Sequence, residues 1–399
     1  LEKIMAAITG LRGSGEFTTD FRPTNYRELF TLLEPNGTAP LNALLSMAGS
    51  SETDDPKFNH FRDEMPDRYV KTNATQTTSD TSIVVTSATA GVLPFIVAGT
   101  TLVNVRTGEL MTASAVNTGT NTITVTRGIG GSGVAMVAGD TLAVAGFAAQ
   151  EGSGAPAAVS FDPTMDYNYT QIFKTSVSIT NTLKNTYLRT GSKEQEMLTK
   201  ALKLHMSDIE RSMFFGKRAE VNGNTAQPTR YTGGLLSQIS AATTIDASTA
   251  GATAGKFTEK EFDRTLIETL FAYGSKEKVA FCGAKVIAHL QQIGKNRWQP
   301  TAVQGSYGVS MTRYSTFAGD LLVHLHPMFR QIAGMESSMI ILDLPYLNYR
   351  YMKGRDTNLK RDVQAPDVDG SVHYYITECG LEMTQSKVHS IIKNWALVE

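Results

Sequence analysis

The sequence predicts an α+β fold carrying a small inserted all-β domain, and three observations predict it. Leu198, Leu202, His205, Ile209 and Met213 recur at helical spacing and mark one long helix in mid-chain. Strand-like and helix-like stretches then alternate irregularly through residues 225–354. Between Ser79 and Ala149 the only charged residues are Asp80, Arg106, Glu109, Arg127 and Asp140, while Thr, Val, Ala, Ser and Gly dominate. Length agrees with several domains, since 399 residues exceed the roughly 250–300 that one core supports.

Residues 1–50 read as an extended arm, broken by Gly10, Gly13, Gly15, Pro23, Pro35, Gly37 and Pro40. One short helix is expected over Thr24–Leu33, where Tyr26, Leu29, Phe30 and Leu33 share a face. Because residue 1 is Leu, a cleaved, tagged or misassigned start is expected, with Met5 as the natural initiator. Residues 51–78 are polar, and Arg62, Asp63, Glu64, Asp67 and Arg68 form a mixed-sign run suited to pairing with a neighbour's surface. A solvated loop is the plainer reading of that run.

Inside the charge-poor stretch, β-branched runs at Ile83–Thr86, Phe95–Val97, Thr101–Val105, Thr122–Thr126 and Thr141–Val144 are separated by turn clusters. That spacing predicts a sandwich or an open barrel. The flanks read as one interrupted structure. Tyr167, Tyr169, Ile172, Phe173, Val177 and Ile179 are expected to pair back on residues 57–72, giving a long hairpin with the β-module at its tip.

The long helix is expected to open on a capping box between Ser192 and Gln195, run to about Lys217, and carry a Glu196–Lys200 pair. Further on, Thr258 and Glu261 form a second capping box, with Phe257 and Phe262 as its staple. Phe262, Leu266, Leu270 and Tyr273 give the stripe of that helix, and Gly274 ends it. A strand (Lys278–Cys282), a helix (Ala284–Ile293) and a hairpin (Met311–Phe317 with Leu321–His326) follow. Later strands are expected at Ser338–Leu342, Tyr346–Met352, Val372–Thr377, Leu381–Gln385 and Val388–Trp395.

Chemistry is sparse. With 37 basic and 38 acidic residues the net charge is −1, which gives the whole chain no electrostatic footprint for nucleic acid or anionic lipid. No apolar run approaches the ~20 residues of a membrane span. Cys282 and Cys379 cannot build a disulfide framework or a cysteine metal cage, which favours a reducing compartment. Gly128–Gly133 matches a dinucleotide fingerprint, but Gly139 and the β-rich residues after it leave no room for the required helix, so it reads as a turn. His324 and His326 share a strand face without a third metal ligand, and a polar sheet face is the simpler reading. His205 sits on an apolar stripe, where a hydrogen-bonded core histidine is expected. Arg350, Lys353, Arg355, Lys360 and Arg361, interleaved with Tyr349 and Tyr351, lie among aspartates and read as a salt-bridged loop at a protein interface. No nucleophile elbow, Cys–His pair or phosphate-binding loop is present, so neither an enzyme nor a cofactor is expected.

Several stretches are similar to the major capsid proteins of tailed bacteriophages. They are Phe21-Arg22-Pro23, Tyr26-Arg27-Glu28 and Pro35–Leu41 in the arm, and Phe58–Val70 in the hairpin. Thr232–Leu236, Thr316–Leu321, Leu342–Tyr346 and Thr377–Met383 continue the likeness, with Gly380 standing where Thr would be expected. The resemblance implies a Hong Kong 97-type major capsid fold. It would comprise an N-terminal arm (1–50), an E-loop hairpin (51–78 and 150–190), the inserted all-β domain (79–149), a peripheral domain with a long spine helix (191–224 and 355–399) and an axial α/β domain (225–354). It also implies self-assembly into hexamers and pentamers of an icosahedral head enclosing double-stranded DNA. Scaffolding, portal and decoration proteins would be partners, DNA contact non-specific, membranes not involved, and assembly would occur in the host bacterial cytoplasm. The alternative is a carbohydrate-binding surface or tail-associated protein using the β-insert. Against it, residues 79–149 hold no Trp or Tyr, only Phe95 and Phe147.

Overall fold

A computed structural model describes Pro40, Leu41, Leu45 and residues 49–186, 191–223, 227–250, 258–293, 302–303, 311–330 and 332–395. The expected Thr24–Leu33 helix, most of the arm, and Phe257 of the expected staple lie outside the described residues. Two compact units emerge, one of Phe61–Asp166 and one of residues up to His60 together with those from Tyr167 onward.

In chain order, β1 (Ser50–Thr53) and β2 (Lys57–Arg62) lead to the smaller unit. It holds β3 (Tyr69–Lys71), β4 (Ser82–Val84), β5 (Thr100–Asn104), β6 (Leu110–Asn117), β7 (Thr122–Thr126) and β8 (Thr141–Phe147). The chain returns through β9 (Thr164–Tyr169), which pairs with β2, and continues into β10 (Gln171–Thr180). Next come the long helix α1 (Lys193–Phe215), the hairpin of β11 (Ala219–Val221) and β12 (Thr229–Tyr231), and β13 (Thr244–Asp246). Then follow α2 (Glu259–Thr265), β14 (Glu277–Cys282), α3 (Ala284–Ile293), β15 (Ala302–Val303), β16 (Met311–Ser315) and β17 (Asp320–Leu325). The last strands are β18 (Met339–Leu342), β19 (Leu347–Met352), β20 (Asn358–Lys360), β21 (Gly370–Met383) and β22 (Ser390–Lys393).

The smaller unit is one antiparallel sheet in the order β3-β8-β5-β6-β7-β4. Its outer strands do not stay open. Thr72 bridges Val85, the Thr86 amide donates to the Lys71 carbonyl at 2.8 Å, and the Asn73 amide donates to Val84 at 2.8 Å. The two edges therefore meet, which removes the exposed backbone an open barrel would present. Alternate residues point inward, so Val70, Ile83, Leu102, Met111, Ile123, Val125 and Leu142 form the core. Phe95–Val97 is not a strand, because Pro94 belongs to a 3-10 segment, Ser87–Phe95, that Phe95 ends. β6 was not anticipated; its Ala- and Ser-rich middle lacks β-branched residues.

In the larger unit a seven-stranded sheet, β13-β22-β18-β14-β17-β16-β15, is buried on both faces. Strand alternation sorts its side chains into two cores. Val279, Phe281, Leu322, Ile340, Leu342 and Ile391 join Ile209, Met213 and Phe214 of α1. Ala280, Cys282, Val323, Met339, Ile341 and Ile392 join Phe262, Leu266, Val286 and Leu290 on the opposite side. Two-sided burial explains why β14 reads as a continuous apolar run. It also makes Cys282 a small core residue whose thiol burial pushes strongly upward in pKa.

A second sheet, β1-β19-β21-β10 with β20 also on β21, carries the N-terminal half of α1 through Val177, Leu198, Ala201 and Tyr375. Here the expected pairing fails for β10. Residues 171–180 pair with Gly370–Cys379, not with residues 57–72, so only β9 makes the hairpin with β2. The expected break after Thr377 is also absent. β21 runs through it because Glu378 and Glu382 are buried against Arg355 and Arg350 (2.7 and 3.2 Å). Ser192 makes no side-chain cap; Glu194 and Glu196 in the first turn complement the helix dipole instead. The expected Glu196–Lys200 pair is present. Tyr273 is exposed, since the turn Leu266–Leu270 widens and shifts the stripe off register.

Candidate functional site

Sequence alone pointed to surface and assembly, and the hairpin of β2 and β9 carries part of the charged run singled out there. Its root is fixed by one residue that the sequence reading missed. Asn168 donates to the carbonyls of Gly233 (3.0 Å) and Leu381 (2.7 Å), and its Oδ1 accepts from the amides of Gly233 (2.7 Å) and Tyr169 (2.8 Å). All four hydrogen-bonding positions of a buried amide are thereby filled. Nearby, Thr170 donates to Glu378, which also holds Arg355. The Tyr167 ring has both Lys57 Nζ and the Arg218 guanidinium 4.2 Å from its centroid. Gly380, where the resemblance leads to an expectation of Thr, has close neighbours on its Cα face. A Cβ there would stand 2.6 Å from the Tyr169 carbonyl and 2.9 Å from the Phe58 ring.

Beyond the root, burial falls away. Phe61 is 74% exposed, Met65 87% and Met165 62%, three large apolar side chains left open among the described residues. The mixed-sign run divides. Arg62 meets Glu64 (3.4 Å) and Asp166 (3.9 Å), so part of the charge pairs within the hairpin. Asp63, Asp67 and Arg68 lie exposed, and the Arg68 carbonyl accepts from the Val144 amide at 2.8 Å. A sequence signal for the apolar component did exist: Phe61 and Met65 stand alone in a charged stretch.

The inserted unit uses its few charges internally. Glu109, almost fully buried, accepts from Arg127 Nη2 (2.6 Å) and Nε (3.0 Å), and from the amides of Gly128 (3.2 Å) and Val134 (3.1 Å). Burial alone would raise its pKa, but the Arg127 guanidinium and these amides hold the carboxyl below its usual range. Asp140 accepts from Arg106 and Asn104, and Arg106 above all holds it well below the carboxylate range. The glycine-rich 128–133 stretch is a loop pinned by Glu109, with no helix after it, as the turn reading expected. Phe95 packs edge-on against Phe161 at 5.6 Å between centroids, which occupies one of the two insert aromatics.

His205, His324 and His326 are all buried. His205 bonds Thr175 (3.0 Å) and Thr377 (2.8 Å), as a satisfied core histidine should. The polar-face reading of His324 and His326 is corrected, since β17 ends at Leu325 and His326 is buried among Phe214, Phe281 and Phe329. Among the described residues no group of three or more His, Cys, Asp or Glu could hold a metal. No helix among them is long and apolar enough to cross a membrane. Three cations of the basic patch are salt-bridged, Arg355 to Glu378, Arg350 to Glu382 and Lys353 to Glu52, in place of the aspartates around them.

Comparison with known proteins adds the following. The sequence pattern of the SU10 major capsid protein family matches residues 13–396. The major capsid protein of Pseudomonas phage PaMx41 is 28% identical over 344 residues, covering 82% of this chain and 78% of that protein. Among solved structures, the capsid of a native GTA particle aligns over 93% of this chain and 94% of its own, with 9% identity and a TM-score of 0.45. A Mycobacterium phage Cain structure aligns over 94% and 95%, with 9% identity and a TM-score of 0.43.

Proposed function

The chain belongs to the SU10 major capsid protein family, and from that premise we propose how its copies build the shell. Its role is structural, as the phage protein that forms the capsid, and its place is the virion. The finer reading is a Hong Kong 97-type subunit that closes into hexamers and pentamers of an icosahedral head around double-stranded DNA. The five segments expected from sequence then act as arm, E-loop, insert, peripheral domain and axial domain.

One observation carries this reading. The β2–β9 hairpin presents Phe61, Met65 and Met165 to solvent, beside the exposed charges of Asp63, Asp67 and Arg68. Apolar anchors ringed by charge are the composition of an interface core with its polar rim. Arg62, Asp63, Glu64, Asp67 and Arg68 are therefore assigned to contact between subunits, Arg62 and Glu64 as an internally braced pair and the others as rim. Each copy would both give and receive such a contact, a heterologous arrangement that closes into rings. Multivalency then makes modest single contacts collectively strong.

The protein acts without catalytic chemistry or cofactor, assembles in the host bacterial cytoplasm, and meets scaffolding, portal and decoration proteins there. Its net charge of −1 suits a wall that touches packaged DNA without gripping it. The test is size measurement and negative-stain electron microscopy of expressed protein, alone and with a scaffold. Shell-sized particles are expected, and a monodisperse monomer under every condition would overturn the reading.

A further inference from the structure

The spine helix carries a buried carboxylate that the shell-building account does not use. Glu210 of α1 is 1% exposed, and its Oε1 accepts two hydrogen bonds. One comes from His326 Nε2 at 2.9 Å and the other from the backbone amide of Leu41, also at 2.9 Å. The His326 tautomer follows from its other nitrogen. Nδ1 accepts from the Met328 amide at 3.2 Å, so the proton lies on Nε2 and is donated to Glu210. His326 itself stacks on Phe329 (4.9 Å) and meets Phe214 and Phe281 edge-on. The imidazole thus has one orientation, and it aims Glu210 at the incoming chain.

Leu41 and Leu45 are 0% and 1% exposed and lie in the same core as Met213, Phe214 and Phe329. The amide of Leu41 sits 169 residues away from its acceptor in sequence. Nothing in the local sequence compels this contact. A carboxylate in an aromatic box is costly unless its lone pairs are filled, and each donor is worth more there than at a surface.

We propose that Glu210, oriented by His326, is the positioning residue that anchors the Leu41–Leu45 stretch on the spine helix. That hydrogen bond, together with the burial of Leu41 and Leu45, holds this stretch in place. The inference rests on reading residues 1–50 as an arm, and it adds the device that roots it. A root fixed on the spine helix delivers every arm from the same place, which lowers the ordering cost of each contact that an arm makes.

The test is hydrogen–deuterium exchange of the full chain, comparing the peptide spanning Leu41–Leu45 with core peptides containing Phe281 and Ile340. Glu210→Leu should raise exchange at the Leu41–Leu45 peptide by about ten-fold or more, while the core peptides change by less than about three-fold. Glu210→Gln, which keeps one acceptor oxygen, should restore much of the lost protection. If Glu210→Leu fails to fold, Glu210→Gln alone must still raise exchange measurably and only at that peptide. No rise at Leu41–Leu45 in either variant, or an equal rise throughout the core, overturns the proposal. Electron microscopy of the same samples reads the arm itself: shells that form normally with the root released would remove the arm, and not the anchor, from the account of assembly.

Discussion

Removing one member of the Glu109–Arg127 pair should destabilise the inserted unit far more than removing both. The side chains are 1% and 5% exposed and lie 2.6 Å apart. Glu109→Ala would leave the guanidinium buried without a counter-charge, a loss of about 3–5 kcal/mol. It would also orphan the Gly128 and Val134 amides, at roughly 1–3 kcal/mol each where no water replaces the carboxylate. A unit of this size has about 5–15 kcal/mol in total, so the single variant should bring it close to unfolding. Glu109→Leu combined with Arg127→Met removes both charges and their desolvation, and should recover most of that loss. Peptide-resolved hydrogen exchange across a urea series reads the unit separately from the rest of the chain. Loop residues 128–134 should stay fast-exchanging in the double variant, because their acceptor is gone. The reasoning fails if Glu109→Ala lies within about 1 kcal/mol of the parent, or if the double variant is no more stable than the single one.

Other expectations follow from the same structure. Phe61→Asp and Met65→Asp should each raise the concentration needed for shell assembly at least ten-fold, because covering such a side chain contributes about 1.5–3 kcal/mol per contact; light scattering during assembly checks this, with unchanged thermal unfolding as the control. Gly380→Thr would drive a side chain into the Tyr169 carbonyl and the Phe58 ring, so exchange at the hairpin root should rise even though Thr suits a strand. His389 is buried, and that burial, with Lys278 second, lowers its pKa to about 3. Its Nδ1 accepts the Asp343 amide at 3.1 Å, which requires the unprotonated nitrogen. With an unfolded value near 6.5, its contribution is fully present above about pH 6.5 and declines as pH falls toward 3, by about 2 kcal/mol at pH 5. Denaturation of the parent at pH 7 and pH 5 should show that loss, and His389→Gln should flatten it.

Local periodicity made much of the fold legible. The 3.6-residue stripe located α1, the continuous apolar run located β14, and the helix Ala284–Ile293 was bounded by Gly283 and Gly294. The insert was visible because its sheet has no use for surface charge, and four of its five ionisable residues serve inside it. Pairings between distant segments were not legible. β10 and β21 lie about two hundred residues apart, and strand alternation carries no information about which partner is chosen. Glu378, Gly380 and Glu382 looked like breaks in a strand because the arginines and the hairpin that accommodate them arrive from elsewhere in the sequence. For the candidate site, the charged run was read while Phe61 and Met65, the exposed apolar residues within it, were passed over. Asn168 gave no signal at all, since its role depends on Gly233 and Leu381.

The most direct measurement is a residue-resolution electron-microscopy reconstruction of assembled particles, read at the hairpin. Phe61 and Met65 should be covered there by a neighbouring subunit, with Asp63, Asp67 and Arg68 around the rim of that contact. Particles in which both side chains remain open to solvent would contradict the account.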